Sequence, residues 1–247
     1  MSINRFCKGL VASALVVMVV DAAAVALLPV DALRSQAPAL YTLYQSYSGY
    51  QTALGYYANR QGFQNPYENL ATVVHEMIHI ASAAHRGYYI DGVFYEPYLV
   101  RESGAPPAWP SLSNKEVYPY MLPYEKGVIY SVYIPSTPNN HLGNVIDEIN
   151  AHAHVAAFVC ENEPGSGAKQ VRNLTGHLNL QEAYLRVLRL SRQAEYQALA
   201  RDRESRGAMV SIASKAWDAL KRCGVTQGAV PAKELRYLMS LPFGNVR

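Results

Sequence analysis

The sequence predicts an α+β, mostly helical fold with a small antiparallel sheet and a C-terminal helical subdomain. Three observations lead there. Apolar residues recur at helical spacing over most of residues 39–86, 144–160 and 180–239. One stretch, YYIDGVFY, sets two aromatic and β-branched runs about Asp91-Gly92, the pair a type I′ hairpin turn prefers. Charge also divides along the chain: Val25 to Ala168 carries 6 Lys/Arg against 12 Asp/Glu, whereas Lys169 to Arg247 carries 14 against 6. The 247 residues, 50% of them hydrophobic, suffice for one good core with a helical appendage.

Residues 1–24 have the layout of a secretory signal peptide. Arg5 and Lys8 supply a positive region, Leu10 to Val20 an apolar run, and Ala22, Ala23 and Ala24 a small-residue cleavage site. Asp21 interrupts the run and would sit near mid-bilayer in a retained anchor, which is costly. The expected location is therefore periplasmic or secreted. Cleavage leaves Cys160 and Cys223, and two cysteines in an oxidising compartment suggest a disulfide.

A core over residues 25–162 begins with a Tyr- and Ala-rich helix across 39–60. In the next helix, from Pro66 to Arg86, Asn65 is the N-cap, Pro66 the first residue, Glu68 the capping-box acid and Gly87 the stop. The hairpin follows, then a Pro-rich loop, then KGVIYSVYIP, which alternates like a strand over 126–134. NVIDEINAHAHVAAFVC reads as a helix that Asn144 can cap, with Asp147 three residues on as a capping acid. ENEPGSGAK reads as a linker, and 169–247 as a basic helical subdomain packed on the core. Its cationic surface suits a solvated helical face or contact with an anionic surface. There is no internal repeat, GxGxxG, P-loop or nucleic-acid module.

Within the predicted helix, residues 75–85 read HEMIHIASAAH. Residues four apart on a helix lie about 40° apart around its axis, so His75 and His79 can reach one ion, while Glu76 lies about 100° round from His75. Two histidines and a glutamate among Val73, Val74, Met77, Ile78 and Ile80 need a reason to be there.

This HExxH stretch resembles the zincin metallopeptidases. The resemblance implies a zincin-like core with one Zn²⁺ held by His75 and His79, and with Glu76 as general base toward water held by the ion. It implies a peptide or protein substrate and hydrolysis of amide bonds. The stretch DEINAHAH resembles the later helix of gluzincins, which implies Glu148 as third ligand. Members usually place Asp four residues on. This chain has His152 there, and His152 or a cleft tyrosine is read as the donor to the substrate oxyanion. Tyr130 and Tyr133 precede the motif, among sixteen of nineteen tyrosines between Tyr41 and Tyr133. Alternative third ligands are Asp147, His152, His154 and His85. The last would complete a metzincin-like H-E-x-x-H-x-x-S-x-x-H, but Ser82 replaces the glycine that would turn the chain. The alternative from another class is a non-catalytic envelope binding protein built on the same scaffold.

Overall fold

A computed structural model describes residues 28–62, 65–96, 109–123, 126, 132–226 and 232–241. The segment expected to be a signal peptide, much of the Pro-rich loop and most of 124–131 lie outside the described residues. Where the apolar periodicity is strong, helices form as expected. After a short helix α1 (Val30–Gln36), the Tyr- and Ala-rich region is divided into α2 (Pro38–Ser46) and α3 (Gln51–Arg60), with a 3-10 turn at Ser48–Tyr50. Pro38 opens α2, and the Ser48-Gly49 pair separates α2 from α3.

The helix carrying HEMIH, α4 (Pro66–His85), is capped by Asn65, whose side chain accepts from the Tyr67 N–H at 2.8 Å. Glu68 does not close the expected capping box; it pairs with Lys169 at 3.7 Å. At the other end Arg86, not Gly87, takes the left-handed turn (φ 53°). Gly87 is needed for closeness instead. A Cβ there would lie 3.1 Å from Phe94 Cβ. This permits the sharp entry into the antiparallel hairpin of β1 (Tyr88–Ile90) and β2 (Val93–Tyr95), which pairs Tyr88 with Tyr95 and Ile90 with Val93. Asp91 and Gly92 have φ of 50° and 92°, the positive pair a type I′ turn requires.

The short helix α5 (Asn114–Val117) follows the Pro-rich loop, and a 3-10 turn covers Tyr118–Tyr120. The strand expected over 126–134 ends in helical backbone: Val132 and Tyr133 lead into the single turn α6 (Ile134–Ser136). Ser136 Oγ donates to Val132 O at 2.9 Å and Thr137 Oγ1 to Tyr133 O at 2.7 Å. Hydroxyls bonding back to carbonyls four residues earlier favour a turn over an extended chain. Among the described residues the sheet has two strands.

The helix α7 (Leu142–Asn162) organises the rest. One side of it, through Val145, Ile146, Ile149, Ala153 and Ala156, shares a core with α8 (Pro164–Ser191), α9 (Gln193–Arg201), α10 (Arg203–Arg222) and α11 (Lys233–Ser240). The other side, through Ala151, Val155, Phe158 and Val159, closes the core of α1 to α4. The predicted linker is a break of one residue, Glu163, between α7 and α8. A disulfide, Cys160–Cys223, ties the end of α7 to the end of α10.

The charge division closes on itself. Lys169 meets Glu68, Arg192 meets Glu116, Lys215 meets Asp91 and Arg222 meets Glu161. Part of the basic excess of the second half thus faces acids of the first. No described helix is long and apolar enough to cross a membrane.

Candidate metal centre

His75, Glu76 and His79 ride on α4, whose buried face (Leu70, Val73, Val74, Met77, Ile78, Ala81) fixes its rotation against α3 and α7. That rotation turns both imidazoles toward Glu148 on α7. His75 Nε2 and His79 Nε2 are 3.1 Å apart. Glu148 Oε2 lies 3.5 Å from the first and 3.8 Å from the second. These distances test the fit of an ion. Three ligand atoms on one tetrahedral zinc lie about 3.4 Å from one another. For sides of 3.1, 3.5 and 3.8 Å, the circle through the three atoms has a radius of about 2.0 Å, so an ion about 0.7 Å off their plane, as tetrahedral geometry asks, would lie about 2.1 Å from each, within the zinc–imidazole and zinc–carboxylate range of about 2.0–2.2 Å. The donor set fits a zinc ion.

The structure also places what orients these ligands. Asp147 is not a capping acid. The helix α7 starts three residues earlier than the sequence predicts, with His141 as N-cap and Asn144 Oδ1 accepting the His141 N–H at 3.1 Å. Asp147 therefore lies inside the helix, and its Oδ2 accepts from His79 Nδ1 at 2.7 Å. A carboxylate bonded to the far nitrogen fixes the tautomer and strengthens the near nitrogen as a ligand. Burial disfavours a charged His79, but Asp147, with Glu148 and Glu76 beyond it, outweighs that and pushes His79 up to about 10. Burial would raise Glu148, yet the His75 hydrogen bond and the His79 and His75 charges hold it well below the usual carboxylate range. Glu148 is thus an anion.

Glu76 is half-buried beside His75, and no described residue hydrogen-bonds its carboxylate. Tyr57 of α3, 40% exposed, feels both Glu76 and Glu148; burial and these two carboxylates raise its phenol. Tyr133 packs edge-on against the ring of His177, 4.6 Å between centroids, and burial and Glu148 push it well above its ordinary value. Tyr130 lies outside the described residues.

His152 stands beside the cluster, its ring 4.5 Å from that of His75. Burial holds it neutral, well below its ordinary value, and His75 and His177 push the same way. The sequence reading missed His177, which α8 brings in on the far side, 5.1 Å from the His152 ring and within ligating reach of Glu148. A single histidine in a long helix carries no local signal; only the packing of α8 on α7 shows where it points.

His85 is apart from the cluster. The helix α4 runs unbroken to it, so it faces elsewhere and stacks on Phe94 with centroids 4.0 Å apart. His154 is hydrogen-bonded on both sides: Nδ1 donates to Asn150 O at 2.8 Å and Nε2 accepts the Asp91 N–H at 3.3 Å. Compared with protein-family models, with curated proteins and with solved structures, the chain finds no match.

Proposed function

We propose that the protein is a zinc-dependent hydrolase of peptide bonds, with His75, His79 and Glu148 as ligands and Glu76 as general base. The observation that carries this reading is the ligand triangle beside a half-open glutamate. A purely structural site has no need of Glu76, and Asp147 behind His79 orients the ligand as metal centres do. The ion, when bound, supplies Lewis acidity toward a carbonyl and lowers the pKa of water. The remaining work falls to side chains. Glu76, without a hydrogen-bond partner among the described residues, takes a proton from water on the attacking side and returns it to the leaving amine. Tyr57, half-exposed and within the field of both carboxylates, is the phenol best placed to donate to a developing oxyanion.

The Cys160–Cys223 disulfide supports an oxidising compartment, in keeping with export by the N-terminal segment. The test is Glu76→Gln in the purified, zinc-loaded protein against a quenched fluorescent peptide library. Metal content should hold while hydrolysis falls about a hundredfold to ten-thousandfold. Equal activity, or none in either protein, would overturn the hydrolase reading and favour a binding role.

A further inference from the structure

The cluster extends past the three ligands in a way that one ion does not use. Glu148, His152 and His177 form a second group whose ligand atoms lie within 4.8 Å of one another. His177 is 4% exposed, and its Nδ1 sits 2.9 Å from Asn173 O. A carbonyl only accepts, so the proton of the neutral ring is on Nδ1, and Nε2 presents a lone pair. That Nε2 is buried with no hydrogen-bond partner. His152 Nδ1 is buried without a partner too. A lone pair facing a carboxylate in a buried site is costly unless a donor or a cation lies between them. His177 cannot serve an oxyanion, since its inward nitrogen accepts and does not donate.

We propose that the centre holds a second divalent transition-metal cation on His152 and His177, with the Glu148 carboxylate bridging it to the first. Imidazole donors select zinc, iron, nickel or copper over magnesium or calcium. The Nδ1–H bond from His177 to Asn173 O orients that ring as Asp147 orients His79. His152 is then a ligand and not an oxyanion donor, which leaves that role to a tyrosine. A two-ion centre stabilises the attacking and leaving groups of a displacement together. The inference deepens the proposed function and rests on its first site.

The test is optical titration of metal-free protein with Co²⁺ alone, with zinc content per chain measured in parallel. It compares wild type, His177→Gln and His152→Gln, with circular dichroism to establish folding. Wild type should break at about two equivalents and each variant at about one. A wild-type break at one equivalent, unchanged in the variants, overturns the second site and leaves the first standing. Two equivalents in wild type and variants alike overturn its placement on these histidines. No uptake at all overturns both the second site and the zinc hydrolase reading. The wild-type stoichiometry decides even if a variant fails to fold.

Discussion

His152 and His154 sit two residues apart on one helix and have opposite surroundings. His154 lies over the hairpin turn, with one nitrogen on a carbonyl and the other on the Asp91 N–H. His152 faces α4 and α8, with a buried nitrogen that meets no partner. The two faces of α7 therefore sort the histidines by hydrogen-bond satisfaction. On the hairpin side a ring completes the structure. On the other, ring nitrogens converge on a carboxylate. Burial alone would not have separated them, since both helix positions are largely covered.

The sharpest way to break this contrast is to remove one of the ligands proposed for the first site. His79→Ala should abolish zinc retention by the first site, read as metal content after dialysis; full retention would sink the ligand assignment. Next in size is Asp147→Asn, which keeps the shape but loses the anionic acceptor of His79 Nδ1. Zinc affinity should fall about 10- to 100-fold, measured by competition with a chromophoric chelator. An unchanged affinity would make Asp147 an ordinary buried acid. The counterpart on the hairpin side is His154→Gln. It should leave metal stoichiometry untouched and cost about 1–3 kcal/mol in denaturant unfolding, because the Asp91 N–H loses its acceptor. Loss of metal in this variant would erase the distinction between the faces.

The smallest effect is expected away from both groups. Glu116 accepts from the Ser113 N–H at 2.9 Å, and the Ser113 hydroxyl and N–H hold its carboxyl below the ordinary value. A depressed folded pKa adds stability that is full above its unfolded pKa of about 4.5 and is lost as pH falls through the folded value. Glu116→Gln should therefore lower stability at neutral pH by under about 1 kcal/mol, since solvent screens the group, and the deficit should vanish in acid. A deficit that persisted with protonation would point to packing instead.

Local chemistry carried much of the architecture. Asn65-Pro66 and the apolar spacing specify α4. The i, i+4 interval puts His75 and His79 on one face, and Asp91-Gly92 specifies the hairpin turn. Those features need only neighbours a few residues away. The sequence points to a start of α7 three residues too late because His141 is an unusual cap and Asn144, a good one, follows it by three residues. The strand expected at 126–134 failed at its end because Ser136 and Thr137 bond back to the preceding turn, which an alternating apolar pattern does not reveal.

By itself, then, the sequence determined that two histidines and a glutamate share one helix, that this helix has an apolar face to bury, and that a carboxylate lies in a later helix of like character. Only the tertiary structure decided that Glu148 meets the two histidines, that Asp147 stands behind His79, and that His177 approaches from the other side. The reason is physical. Periodicity fixes which way a side chain leaves its own helix. The distance between helices, and their rotation about one another, depends on how the buried residues of α4, α7 and α8 interlock across more than a hundred positions of chain.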